Sequence, residues 1–200
     1  GGAKVADKIK MIKNLLDKVD TIITGGVMAY TFIKAKNWEI GSSKVEEEAV
    51  GLAKEIIKEI NKRHLEFHTP LDHVIVQKIS EDAIPIITER GTIPQGWIGV
   101  DIGPQAIEEY TDCINRANTI FWNGPMGIYE MEKFANGTIE IAKAIANSKA
   151  YSVIGGGDSI AVVNKAGVSD KISHICTGGG ASLEFLERGI LPGIEVLKDI

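Results

Sequence analysis

Four short stretches place glycine where the chain turns from an apolar run into a helical one: Gly25-Gly26, Asn123-Gly124-Pro125, Gly155-Gly156-Gly157 and Gly178-Gly179-Gly180. Glycine lets backbone N–H groups approach an anion with no Cβ in the way. The helix that follows adds a partial positive charge worth about 1 kcal/mol per contact. A single glycine-rich turn is ordinarily just a tight turn, but four at the same topological position make a phosphate cradle. Asp158, directly after Gly157, reads either as a helix N-cap or as a carboxylate for a hard cation that bridges phosphate oxygens. Lys4 and Lys8 stand one turn apart on one helix face, either as solvated lysines or, beside Gly1-Gly2, as cations that reach phosphate. No G-x-x-x-x-G-K-[ST] occurs, which excludes a P-loop protein. No G-x-G-x-x-G precedes an acidic ribose binder either, which weighs against a nicotinamide-dependent dehydrogenase. The phosphate grip has to be built from the turns.

Periodicity supplies the elements that position them. Val5, Ile9, Ile12, Leu16 and Val19 recur at helical spacing. Residues 21–24 read as a short buried strand, 28–36 as a helix, and 43–63 as a long charged helix with Ser43 as N-cap and Glu46 three residues on. Strands are expected at 74–76 and 84–88. The stretch 92–104 reads mostly as loop because of its Gly and Pro content, and Pro104 opens a helix to residue 116. From there strands at 119–122, 151–154 and 172–176 alternate with helices at 133–147, 158–166 and 181–187. Such alternation implies an α/β fold with right-handed crossovers, a Rossmann-like three-layer sandwich with a mostly parallel sheet and helices on both faces. Ligands in such sheets sit beyond the carboxyl ends of the strands, where all four turns fall.

The 200 residues, 44% hydrophobic and 24% charged, suffice for one substantial domain. A net charge of -5 argues against a nucleic-acid partner. No apolar run reaches the roughly 20 residues that cross a bilayer, and no charged-then-apolar signal segment opens the chain, so no membrane association is expected. Two cysteines far apart in sequence, Cys113 and Cys176, suit a reducing cytoplasm. The chain opens Gly1-Gly2-Ala3-Lys4 without Met, so a piece of a longer polypeptide with its C-terminus near Ile200 is expected. His64 and His68 lie four apart and His73 follows, but Pro70 interrupts any helix and no cysteine is near in sequence, so no metal site is expected of them. His174 reads as a partly buried strand residue, Glu46-Glu47-Glu48 as a solvated helix start, and Trp38, Trp97 and Trp122 as packing anchors.

Taken in order, Gly1-Gly2-Ala3-Lys4-Val5-Ala6-Asp7-Lys8, Gly25-Gly26, Met28-Ala29-Tyr30-Thr31-Phe32, Gly96-Trp97-Ile98-Gly99-Val100-Asp101, Phe121-Trp122-Asn123-Gly124-Pro125-Met126-Gly127, Ile154-Gly155-Gly156-Gly157-Asp158-Ser159 and Thr177-Gly178-Gly179-Gly180-Ala181-Ser182 resemble phosphoglycerate kinase. The resemblance runs nearly end to end but covers only the nucleotide-binding, C-terminal half of that two-domain enzyme. It implies that residues 1–200 are that domain, without the strand before Gly1 and without the N-terminal substrate domain. It implies reversible phosphoryl transfer between 1,3-bisphosphoglycerate and MgADP, giving 3-phosphoglycerate and MgATP, in a cytoplasmic monomer. On that reading Lys4 stabilises the moving phosphoryl group, Lys8 holds nucleotide phosphates and Asp158 ligates magnesium. Gly155, Gly156 and Gly157, with Gly178 to Gly180, present N–H groups to the transition state. Gly25, Gly26, Gly99, Val100, Pro125 and Ile128 line the adenine slot, with Asn123 nearby and Glu130 on the ribose; Gly2, Ala3 and Ser159 complete the nucleotide contacts. In-line phosphoryl transfer needs positioning and charge neutralisation more than covalent help, so no nucleophile–base pair is required. Val27 replaces a third glycine, which would narrow the adenine slot, Cys176 replaces a serine, and residues 74–87 match poorly. The polypeptide alone is expected to bind nucleotide with negligible turnover; the alternative is a stand-alone nucleotide-binding module without catalysis.

Overall fold

A computed structural model describes residues 1–3 and 5–197. Apolar positions at helical spacing settle how its first layer packs. Helix α1 (Val5–Leu15) buries Val5, Ile9 and Ile12, α2 (Gly26–Ala35) buries Met28 and Phe32, and α3 (Glu47–Arg63) buries Ala49, Ala53, Ile56 and Ile60. These side chains form one cluster, joined by Ile22 of β1 (Thr21–Ile23), Phe67 of β2 (Glu66–His68) and Leu183 of α7 (Gly179–Arg188). A second cluster unites α4 (Pro104–Arg116), α5 (Asn136–Asn147) and α6 (Gly157–Lys165) with Trp122 of β6 (Thr119–Asn123) and Ile154 of β7 (Tyr151–Gly155). Each fully buried aliphatic or aromatic side chain contributes roughly 1.5–3 kcal/mol. Consecutive residues of a strand point to opposite faces. Ile22 serves the first cluster and its neighbour Ile23 the second. The strands therefore lie between two helical layers, the α/β sandwich expected from the alternation.

The strand layer is not one continuous parallel sheet. β1 pairs with β2 in parallel, and β6, β7 and β8 (His174–Cys176) form a parallel trio in that order. The middle of the chain forms an antiparallel trio: β3 (His73–Val76) lies between β4 (Ile86–Ile87) and β5 (Ile98–Ile102). Between β1 and β6 runs a cleft of about 680 Å³, with Ile22, Ile23, Phe121 and Trp122 in its walls.

Several expectations change. Residues 92–104 hold β5, a strand rather than a loop, and β2 was not foreseen. α1 ends at Leu15, where a turn closes from Lys18 N to the Leu15 carbonyl, and does not reach Val19. α3 begins at Glu47, and Ser43 is not its cap: the Ser43 hydroxyl accepts the Gly99 amide of β5 at 2.9 Å. Glu46 is not merely solvated, because its two carboxylate oxygens accept the Val5 and Ala6 amides of α1 at 2.9 and 2.8 Å. α5 starts three residues later than expected, after a single 3-10 turn over Glu132–Phe134. α7 starts at Gly179, and a short α8 (Pro192–Glu195) follows it. Trp122 is buried, but Trp38 is 50% exposed and anchors no packing, and His174 is exposed rather than partly buried.

Asp101 of β5 is buried beneath the start of α5, where its carboxylate accepts the Gly137 amide at 2.6 Å and the Ile102 amide at 2.9 Å. Burial nevertheless pushes its pKa from 3.8 up to about 7, against the pull of those two amides. Because the folded value lies above the unfolded one, the folded chain holds the proton more tightly, and stability is lost as pH rises from about 4 through 7. Urea unfolding across that window should show the decline, and Asp101→Asn should flatten it. An unchanged slope in the variant would assign the pH dependence to other groups.

Candidate functional site

Three chain segments meet at the carboxyl end of the strands through direct backbone hydrogen bonds. Gly1 N donates to the Asn123 carbonyl at 3.0 Å, Gly2 N to Pro125 O at 3.0 Å, and Gly26 N to Met126 O at 2.8 Å. Met28 N donates to Gly2 O at 3.3 Å, which ties the start of α2 back to the first residues. The first two glycines, the Gly25-Gly26 turn and the Asn123-Gly124-Pro125 turn are thus one unit, although the last stands about a hundred residues from the other two in sequence. Such closeness demands glycine at Gly124, whose φ is +93° and where a Cβ would strike the Gly1 carbonyl. A Cβ on Gly25 would likewise strike Met126. The Lys8 ammonium is seated in this unit, donating to Gly1 O at 2.6 Å and to Asn123 O at 3.4 Å. Its desolvation lowers the Lys8 pKa below the ordinary lysine value, and the negative charge of Asp158 partly offsets this.

The β7 turn meets the same unit from the other side. Gly156 caps α6 with φ +89°, and a Cβ on Gly155 or Gly156 would sit 3.2 or 3.1 Å from Asn123 Nδ2. That amide nitrogen is buried and has no hydrogen-bond partner. Ser159 is fully buried, and its hydroxyl accepts the Gly124 amide at 2.6 Å, so it locks the β6 turn to α6. Asp158 lies in the first turn of α6 with Gly156 as the N-cap and no side-chain cap bond, which removes the N-cap reading. Its carboxylate is exposed, and Oδ1 accepts the Tyr129 hydroxyl at 3.2 Å. Gly157 and Gly180 are exposed, and a Cβ at either would meet no atom within 4 Å. α7, which carries Gly180, packs on α1.

The remaining candidates arrange themselves around this edge. Pro125 is buried, Ile128 N donates to Val100 O at 2.8 Å, and Glu130 is exposed in the turn after Tyr129. The Val100 side chain is buried with Val76 and Phe134, and Ile128 packs on the same group, so Val100 offers the site backbone rather than side chain. Gly99 leaves room for the Tyr30 ring, which occupies the place of its Cβ. Ala3 is exposed, Val27 leans on the α1–α3 cluster, and Lys4 lies outside the described residues. Three side chains that shape the site gave no local signal: Tyr129, Ser159 as a lock, and Thr138, whose hydroxyl accepts both the Met126 and Gly127 amides at 3.1 Å.

The histidines separate. His64 is exposed at the left-handed end of α3, and His73 is buried beside the Tyr30 ring, where desolvation lowers its pKa to about 4. His68 instead meets Cys113, the cysteine that is distant in sequence, at 3.4 Å.

The phosphoglycerate kinase family model matches residues 1–189. This chain belongs to the phosphoglycerate kinase family. Among curated relatives, the phosphoglycerate kinase of Clostridium botulinum strain Hall is 55% identical over 199 residues, which cover all of this chain and 50% of that protein. That of Clostridium tetani strain Massachusetts is 54% identical with the same coverage. A solved phosphoglycerate kinase from Coxiella burnetii superposes with a TM-score of 0.94 at 40% identity, over 98% of this chain and 50% of that one. One from Pyrococcus horikoshii OT3 gives 0.82 at 36% identity, over 98% and 49%. The chain spans about half the length of the phosphoglycerate kinases it matches. Among the described residues no helix is long and apolar enough to cross a membrane.

Proposed function

We propose that this chain is the nucleotide-binding, C-terminal domain of a phosphoglycerate kinase and that MgADP or MgATP binds where the glycine turns converge. The observation that carries this reading is the single hydrogen-bonded unit of Gly1-Gly2, Gly25-Gly26 and Asn123-Gly124-Pro125, with the Lys8 ammonium inside it. The α6 N-terminus borders it, and Gly157 there and Gly180 in the first turn of α7 are open, which leaves room for an anion where a side chain would block it. The unpartnered Asn123 Nδ2 beside Gly155 and Gly156 fits a ligand oxygen. Asp158, exposed at the first turn of α6, is the carboxylate suited to the magnesium ion, which would neutralise phosphate charge when bound. Gly25, Gly26, Gly99, Val100, Pro125 and Ile128 would flank the adenine and Glu130 would reach the ribose.

In the complete enzyme the reaction would be reversible transfer of a phosphoryl group between 1,3-bisphosphoglycerate and MgADP, in glycolysis and in the cytoplasm. Lys8, the amides at the N-termini of α6 and α7, and Lys4 would hold the phosphates and stabilise charge during transfer. Grip on 3-phosphoglycerate and closure over it would come from a second domain. The cleft between β1 and β6 suits a further strand, as the family resemblance implies ahead of Gly1.

Calorimetric titration with MgADP, alone and with the substrate domain of a relative in trans, tests this reading. The chain should bind nucleotide alone, and a coupled assay should detect turnover only when the substrate domain is added. No MgADP binding under either condition would refute it. In the same assay Asp158→Ala should remove the magnesium-dependent part of the affinity, an expected loss of about tenfold or about 1.4 kcal/mol. Affinity that still responds to magnesium would move the cation elsewhere.

A further inference from the structure

Away from the nucleotide edge, one face of β2 meets one stripe of α4. Glu66 and His68 are two apart on a strand and so share a face, while Glu109, Cys113 and Arg116 recur at i, i+4 and i+7 on the helix. Where they meet, His68 Nε2 lies 3.4 Å from Cys113 Sγ and 3.7 Å from Glu66 Oε2. The three ligand atoms all fall within 4.8 Å of one another. With metal–sulfur and metal–nitrogen bonds of about 2.3 and 2.0 Å, tetrahedral coordination sets these ligands about 3.5 Å apart. The side chains are therefore spaced for one ion before any ion arrives. The other ring nitrogen is committed as well: His68 Nδ1 lies 2.9 Å from Glu109 Oε1. A carboxylate on the second nitrogen of a ligating histidine fixes its tautomer and aims Nε2 at the metal.

We propose that Glu66, His68 and Cys113 form a zinc site that staples β2 to α4, with Glu109 as the positioning residue for His68. A thiolate, an imidazole and one carboxylate are a borderline-soft donor set, which selects zinc over magnesium or calcium. The thiolate and the Glu66 carboxylate together cancel the charge of the ion. Cys113 gives up its thiol proton to solvent on binding, so affinity rises with pH. With three protein ligands, the fourth position of a tetrahedral zinc ion is left to water.

The competitor is Arg116. Its Nη2 lies 3.2 Å from Glu66 Oε2 and 3.7 Å from Cys113 Sγ, so its guanidinium serves as the cation of this cluster. The Arg116 side chain is 61% exposed and can swing into solvent when a metal takes its place.

Cobalt(II), a spectroscopic substitute for zinc, tests the assignment on the intact chain. Titration should produce a thiolate-to-cobalt absorption that saturates at one cobalt per chain and is displaced by zinc. Arg116→Ala should tighten binding and Glu109→Gln should weaken it by about 10–100-fold. Cys113→Ser should remove the absorption and Cys176→Ser should keep it. On the unmutated chain, zinc should also slow alkylation of Cys113 but not of Cys176, read by mass spectrometry, which keeps the test independent of how any variant folds. No absorption at millimolar cobalt in both the parent and Arg116→Ala, an absorption that follows Cys176, or equal alkylation of Cys113 with and without zinc would each overturn the site.

Discussion

Replacing Gly124 with valine is expected to weaken MgADP binding by at least about a hundredfold, about 2.7 kcal/mol of binding free energy. Gly124 sits at φ +93°, a conformation that costs a β-branched residue about 1–3 kcal/mol. A Cβ there also meets the Gly1 carbonyl and stands 2.6 Å from Lys8 Nζ. Relief requires Gly1 or Lys8 to move, and both belong to the unit that holds the glycine turns together. The effect should therefore fall on binding out of proportion to stability, since the second cluster beneath the turn is untouched. Calorimetry with MgADP, paired with a thermal melt, separates the two. Binding within a few-fold of the parent would show that the nucleotide does not depend on the β6 turn.

The second large effect is one of stability. Asp72→Ala is expected to cost about 3–5 kcal/mol, a large share of the 5–15 kcal/mol that holds an ordinary domain together. The Asp72 carboxylate is fully buried and accepts the Gln105 amide at 3.1 Å and the Ala106 amide at 2.8 Å. It thereby caps α4 from thirty-odd residues earlier in the chain, where Gly103, the local N-cap, has no side chain to do so. Gly103 in turn must be glycine, because its Cβ would fall on the Asp72 carboxylate. Removing the carboxylate leaves the buried Ala106 amide and the part-buried Gln105 amide without acceptors and takes a compensating charge from the positive end of the helix. Asp72→Asn keeps one acceptor oxygen and should lose less. Urea denaturation of the two variants checks the order; an alanine variant as stable as the parent would mean that water satisfies those amides.

The two cases show which parts of the fold can be read locally. The helix from Pro104 to Arg116 was legible to the residue, because proline at a first turn and an apolar 3.6-residue rhythm are local signals. The strands and turns from Thr119 onward were legible for the same reason, with boundaries off by one or two residues. β5 was not. Gly99 and the neighbouring Gly and Pro residues are poor strand formers, and the strand exists because Tyr30, from α2, fills the space that Gly99 leaves and because Ser43 accepts its amide. Ser43 and Glu46 carry a helix-start pattern, yet the Ser43 hydroxyl is drawn to β5 and the Glu46 carboxylate to α1, so Glu46 stands at the N-cap of α3 without a side-chain cap bond.

The candidate site divides along the same line. Gly25-Gly26, Asn123-Gly124-Pro125, Gly155 to Gly157, Lys8 and Asp158 stood out from residue type and order, since a backbone that must approach an anion has little choice but glycine followed by a helix. Their convergence did not stand out, because it depends on hydrogen bonds between residues 1–2, 26 and 123–126 that no local pattern encodes. The lock of Ser159 on Gly124, the cap of Asp72 on α4 and the meeting of His68 with Cys113 are of the same kind. Residue order therefore settled the α/β alternation and the family, and it marked the turns as candidates for holding phosphate, because these signals are written within a few residues of one another. Folding settled which amides are satisfied by which distant side chains, and with them the shape of both sites, because a buried polar group takes whatever partner the packing of other elements brings to it.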